Sequence, residues 1–230
     1  MSNHVNPAKR EGRDGGYTLL ELMITLAIVS ILAGLSVMGY AAVGRRGALQ
    51  NVSFDLQGVM GAARTRAVSR GHPVWVVLFP AASHKAKTGG LGAFMVVEDR
   101  NGGFMRSPLS PLELPLVVDD LEGVSETYFL EDYSKKVRFG ALTPGRTDLF
   151  GAPFSGMTVQ TCSFCSGADH PRGAIVFLPD GGARFVDGQG TFLSTANQTM
   201  AFSSLEGRKQ HLFAISGPAG YMASFAVDKL

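Results

Sequence analysis

Two places in the sequence hold residues whose types and spacing could do chemistry. The first is Cys162-Ser163-Phe164-Cys165, which contains both cysteines of the chain. A C-x-x-C pair can be a redox couple, half of a zinc site or a local disulfide. Haem attachment would require His directly after the second Cys, and Ser166 stands there. Zinc needs four ligands; His170 would be a third, and no fourth stands nearby. A thioredoxin-type pair opens a helix in a βαβ unit, whereas Gly, Pro and Ser surround this one. If the segment lies outside the cytoplasm, an oxidised staple pinning its loop is the natural state. The staple fits these surroundings best, with redox and metal readings as its rivals.

The second place is Glu21, the one charged residue between Tyr17 and Val43. A carboxylate at the centre of a bilayer costs about 2.5–3.5 kcal/mol. Near a helix start the cost falls, because the N-terminal dipole favours a negative charge by about 0.3–1 kcal/mol. A carboxylate kept in such a setting needs a partner. Elsewhere the chemistry thins out. Asp99, Asn101 and Gly102 resemble the start of a calcium loop, but no distal Glu completes it, and they read as a turn. There is no G-x-S-x-G, P-loop or dinucleotide fingerprint. His4, His72, His84, His170 and His211 are scattered along the chain. Arg64, Arg66 and Arg70 could form a basic face for DNA, but solvated arginines on an amphipathic helix explain them as well. We expect no enzyme, no cofactor, no metal and no nucleic-acid partner.

The elements that must position these residues follow from patterning. The chain has 230 residues, 17% of them charged, and a net charge of +2, which suits one globular domain plus a membrane segment. Residues 1–16 are polar and aperiodic, and read as a cytoplasmic leader. Residues 17–43 form an apolar run that as a helix reaches roughly 40 Å, beyond the roughly 30 Å hydrocarbon core of a bilayer. A secretory signal peptide has a shorter apolar region and no carboxylate within it. In residues 44–70 the pattern becomes amphipathic: Leu49, Val52, Leu56, Val59, Ala63 and Ala67 recur in steps of three and four. Gly71 and Pro73 should end that helix near Arg70.

Residues 71–230 carry most of the 29 glycines and 11 prolines and read as β-rich. Strands are expected at Val74–Phe79 and Phe94–Glu98, with weaker ones at Leu116–Val118, Thr127–Leu130 and Val137–Phe139. Ser107–Pro115, with three prolines, reads as irregular, and 140–173 as a long loop. Two hairpins are expected. One joins Ala174–Leu178 to Ala183–Val186 through Pro179-Asp180-Gly181-Gly182. The other joins His211–Ser216 to Tyr221–Val227 through Gly217-Pro218-Ala219-Gly220. The fold class is therefore α+β, a long N-terminal helix packed on small antiparallel sheets.

Gly16-Tyr17-Thr18-Leu19-Leu20-Glu21-Leu22-Met23, behind a basic leader and before the apolar run, resembles the processing site of type IV prepilins and type II secretion pseudopilins. The resemblance implies cleavage after Gly16 by the prepilin peptidase, N-methylation of Tyr17, and a role for Glu21 in assembly. It implies an inner-membrane protein, its globular domain periplasmic, that joins other pilins or pseudopilins in a filament. The family favours Phe where this chain has Tyr17. Many members carry Pro near the position of Met38; Gly34, Gly39 and Gly44 lie in that region here, each lowering helix stability by about 1 kcal/mol. The helix end at Ala62–Gly71, the strand with Trp75, the Glu98–Gly102 turn and the Ile175–Gly182 strand and turn look like the subgroup of the H-type pseudopilin and FimT-like minor pilins. Residues 104–173 have no counterpart there, and Gly220-Tyr221-Met222 stands where that subgroup often has Gly-Arg and an aliphatic. The rival reading is a single-pass anchored envelope protein with a redox Cys162/Cys165 pair; a DNA-uptake minor pilin is a third.

Overall fold

The computed structural model describes residues 18–116, 124–194, 197–204 and 208–228. It divides into two compact units, Met1–Gly44 and Arg45–Leu230. Helix α1, Leu19–Arg70, contributes to both.

Within the first unit, every described side chain from Leu19 to Ser36 is exposed. Leu19, Leu20, Leu22, Met23, Ile24, Leu26, Ile28, Val29, Ile31, Leu32 and Leu35 all face outward. This window is long and apolar enough to cross a membrane, and none of it is buried by the chain itself. Water-soluble proteins rarely expose contiguous apolar patches beyond a few hundred Å². Ser30 and Ser36 return their hydroxyls to the carbonyls of Leu26 and Leu32, so neither carries an open hydroxyl donor into that surface.

In the second unit the helical stripe expected from sequence is buried. Val52, Leu56 and Ala67 are fully enclosed, and Leu49, Val59 and Ala63 nearly so. The helix stops where its chemistry dictates: Gly71 takes a left-handed φ of 70°, its N–H bonds the Ala67 carbonyl, and Pro73 follows. The remainder builds β1 (Val74–Phe79), β2 (Ala93–Glu98), β3 (Val124–Phe129), β4 (Val137–Phe139), β5 (Gly173–Phe177), β6 (Ala183–Val186), β7 (Asn197–Ser204), β8 (Lys209–Ser216) and β9 (Met222–Asp228). They form a five-stranded sheet, β3-β2-β1-β5-β6, and a four-stranded sheet, β4-β7-β8-β9, with antiparallel pairing throughout. The α+β class read from sequence is the class observed.

One core lies between the helix and both sheets. Val74, Val76 and Leu78 of β1, Phe94 of β2, Phe177 of β5 and Phe202 and Phe213 of the smaller sheet meet Val52, Leu56, Met60 and Ala63 there. The opposite face of the larger sheet is covered as well. Trp75, Val77, Phe79 and Met95 pack beneath Leu112, Leu116, Phe104 and Leu109. The outer face of the smaller sheet, with Ala201, Leu212 and Ala214, lies beneath Phe150, Phe154 and Val159. Residues 104–116 and 149–159 thus roof the two sheets. This explains why β1 reads as an unbroken apolar run: a strand buried on both faces loses its alternation.

Several sequence expectations need correction. Ser107–Pro115 is not wholly irregular; it contains a helical turn, α3 (Ser110–Glu113), after α2 (Gly103–Arg106). Pro111 sits in the first turn of α3, where a missing N–H costs nothing. Leu130 does not end a strand but opens α4 (Leu130–Tyr133), with its side chain fully buried. Leu116 is a buried bend beneath the larger sheet rather than a strand residue, while 117 and 118 lie outside the described residues. Strand β7 was not expected at all. The Pro179–Gly182 turn is as expected: Leu178 N–H bonds Gly182 O, Asp180 Oδ1 accepts from Gly182 N–H, and Gly181 has a φ of 82°.

Candidate functional site

Gly16 and Tyr17 lie outside the described residues; the site begins at Thr18. Thr18 immediately precedes α1, and its Oγ1 accepts from the backbone N–H of Glu21 at 3.2 Å. Its carbonyl also accepts the first helical bond, from Leu22 N–H. Thr18 is therefore the N-cap and Glu21 the third helical residue, the spacing of a capping box. That signal, Thr-x-x-Glu before an apolar run, is present in the sequence within the segment that resembles a processing motif. Glu21 itself is exposed in the first turn of a helix whose next fifteen side chains are also exposed and carry no charge. A carboxylate there gains from the helix dipole, and no cation among the described residues pairs with it.

The cysteines form the second candidate site. Cys162 and Cys165 are disulfide-bonded, with a Cα–Cα separation of 5.3 Å. No helix opens at the pair. Cys162 bridges Met200 of β7, Ser163 N–H donates to Thr199 O, and Ser163 Oγ accepts from Thr199 N–H. Phe164 is buried between them, 5.1 Å from Phe185 of β6. Just beyond, Ser166 bridges Arg172, and its hydroxyl accepts from Gly188 N–H. The four-residue segment thus ties the smaller sheet at β7 to the larger one at β5 and β6. An open groove beside it is lined by uncharged residues, including Gln160, Asn197 and Thr199. Among the described residues, no group of His, Cys, Asp and Glu gathers that could hold a metal, and His170 joins no such group.

The arginines of the second helical half are not simply solvated. Arg66 Nη2 meets Glu126 Oε1 of β3 at 2.6 Å. Arg64 Nε donates to Gly181 O at 3.1 Å. Arg70 Nη1 pairs with Glu98 Oε1 at the end of β2, a carboxylate only 4% exposed. His72 Nε2 and Arg100 Nη2 each lie 3.3 Å from the other oxygen of Glu98. Burial alone would raise the Glu98 pKa, but hydrogen bonds from His72, Arg70 and Arg100 bring it below the usual carboxylate range. Glu126 is lowered too, by hydrogen bonds from Tyr128 and Arg66, while burial first and the bond to Glu126 second push Tyr128 up to about 12. Arg66 and Arg70 thus bind the helix to the sheet and offer little free positive charge to nucleic acid.

A prediction follows from the sign of these shifts. A carboxylate whose folded pKa is depressed contributes stability above its unfolded pKa of about 4.3 and loses it as pH falls through the folded value. The urea midpoint of the protein should therefore hold from pH 7 to about 5 and drop below about 4. In Glu98→Gln that drop should be shallower, and the midpoint at pH 7 lower. Parallel pH profiles for the two proteins would contradict the assignment of the acid-sensitive step to Glu98.

Helix, exposed apolar surface and capped glutamate together define a class: a chain compatible with membrane anchoring through its N-terminal helix. Comparison with known families carries this further. The prokaryotic N-terminal methylation motif matches residues 12–37, covering the end of the leader, Gly16, Tyr17, Glu21 and the first part of the apolar run. The match supports a type IV prepilin-like chain, and with it a structural subunit rather than an enzyme. Processing by prepilin peptidase and assembly with other pilins are implied in general by the motif. No curated protein and no solved structure matches the chain.

Proposed function

We propose that this protein is a minor pilin or pseudopilin of a type IV pilus or type II secretion pseudopilus. In this reading the leader, residues 1–16, is removed by prepilin peptidase after Gly16, and Tyr17 becomes the methylated N-terminus. Residues 17–43 hold the chain in the inner membrane, 44–70 carry the helix onto the sheets, and 71–230 form the periplasmic domain. Subunits then join through their N-terminal helices, with Glu21 pairing an N-terminal amine, its own or a neighbour's.

The single observation that carries this is Glu21, exposed at a capped helix start beside an apolar surface that the chain does not cover. Either feature alone would fit an ordinary anchor. Together they leave both a hydrophobic helix and a carboxylate seeking partners in the same plane. The paired small sheets are the feature that supports the subgroup of H-type pseudopilins and FimT-like minor pilins, which the sequence resembles. A C-x-x-C redox protein is less well supported, because the pair is held by strand bridges without a helix N-terminus to stabilise a thiolate. Intact mass and N-terminal sequencing of protein from membranes test the proposal. The expected chain begins at Tyr17 with a mass increment of one methyl group. A chain beginning at Met1, or cut beyond Ala41, would overturn it.

A further inference from the structure

The hydrogen-bond phase of the smaller sheet is fixed at both ends. Ser216 N–H donates to Tyr221 O, and on the far side Ser163 N–H donates to Thr199 O and Ala201 N–H to Thr161 O. In an antiparallel ladder the bonding direction alternates residue by residue along each strand. With Leu212 opposite Phe225 and Ala214 opposite Ala223, residues 223, 225 and 227 bond inward to β8. The N–H and C=O groups of Met222, Ser224 and Ala226 therefore face away from the sheet. No backbone group among the described residues bonds to them.

The other edges are treated differently. Beyond β6, Leu193 N–H bonds Phe185 O and Phe192 bridges Val186. Beyond β7, residues 161–163 and β4 share the edge. Strand β3 carries Glu126, a charge of the kind that discourages pairing. Strand β9 has no Pro and no charge before Asp228, and Ser224 and Ala226 are small and exposed. A long, uncharged edge of this kind is a template for another strand.

We infer that the outer edge of β9 is a pairing site for β9 of a second copy of this chain. A two-fold antiparallel pairing centred on Ser224 uses only the outward groups. Ser224 faces Ser224, and Met222 faces Ala226 of the second copy, giving about six backbone bonds, two per facing pair. The same register sets large side chains against small ones on both faces: Met222 against Ala226, Phe225 against Ala223, Tyr221 against Val227. Asp228 then falls opposite Gly220, so no like charges meet. Centring on Ala226 would instead oppose Asp228 to Ser224 and leave Phe225 facing Val227, which loses the alternation of sizes.

Cysteine cross-linking of the full-length chain in detergent micelles tests both pairing and register. Facing residues of a hydrogen-bonded pair have Cα atoms about 5.5 Å apart, inside the disulfide range of about 4.4–6.8 Å. Two copies of residue 226 would be about 14 Å apart in this register. Under mild oxidation, Ser224→Cys should form a covalent dimer at least about tenfold faster than Ala226→Cys, read on a non-reducing gel against the unsubstituted protein. Adding Ala226→Pro to Ser224→Cys removes an outward N–H and no bond to β8, so the fold should persist and cross-linking should stop. Equal rates at 224 and 226, no dimer from Ser224→Cys, or undiminished cross-linking in the proline variant would each overturn the inference.

Discussion

Glu21→Gln should be cleaved, inserted and helical at its start, yet missing from the sheared-filament fraction. The variant separates the capping geometry seen at this residue from the charge pairing proposed for it. As the third residue after the Thr18 cap, Glu21 helps to start α1, and Gln serves that role as well as Glu. As an anion in an apolar layer it would pair with the positive amine of a mature N-terminus, and N-methylation leaves that charge in place. Two unit charges 4 Å apart attract by about 4 kcal/mol at an effective dielectric near 20. Losing that attraction would weaken association about a thousandfold. Thr18→Ala makes the opposite cut, removing the cap at a cost of about 1 kcal/mol and leaving the carboxylate, so assembly should survive. Gly16→Val should stop earlier, as an uncut precursor in the membrane, because a side chain at the cut site obstructs approach to the backbone. Membrane and filament fractions with a size shift on a gel read all three. If Glu21→Gln assembles like the unsubstituted protein, charge pairing is refuted and the residue serves helix capping alone.

Phe202→Ala should be the most damaging single truncation in the globular unit, lowering its stability by about 3–5 kcal/mol. Phe202 is fully buried in β7. Its ring lies 4.9 Å from Phe139 of β4, 5.3 Å from Phe213 of β8 and 6.4 Å from Phe94 of β2 in the other sheet. Deleting it opens a cavity where the two sheets meet, among neighbours fixed by their own strands, so collapse is restricted. Against a total of about 5–15 kcal/mol for a domain, the loss is a large fraction. Chemical denaturation of Phe202→Ala beside Phe225→Ala, whose ring is only half-buried near the free edge, checks it. An equal loss in both would show that Phe202 is not the junction.

Legibility followed physical cause. The stripe from Leu49 to Ala67 could be read because one face of a helix is buried and the period survives in the sequence. Both hairpins could be read because their turns need Gly at positive φ, as at Gly181 and Gly220. Strand β7, Asn-Gln-Thr-Met-Ala-Phe-Ser-Ser, could not. Gln198, Thr199, Ser203 and Ser204 are polar residues buried in it. Thr199 is satisfied by Thr158 O and Ser163, and Gln198 bonds the Ser163 hydroxyl, partners that only the tertiary fold supplies. The same holds for Arg66 and Arg70, whose carboxylate partners are distant in sequence. At the candidate site the motif is plain in the sequence, and the Thr18-x-x-Glu21 spacing carries the cap as well, because a capping bond is local and needs no distant partner.

The Glu98 cluster has a mechanical meaning. The last turn of α1 is clasped to β2 through Arg70, and the apolar stripe from Leu49 to Ala67 lies along the sheets behind it. A pull along the helix axis would load these contacts side by side, so they must yield together instead of opening one after another like a zipper. Tension delivered through the helix would thus meet resistance in shear, the geometry in which a packed interface is strongest. Acid, by protonating Glu98, would release the clasp at one end and let the same force act as a peel.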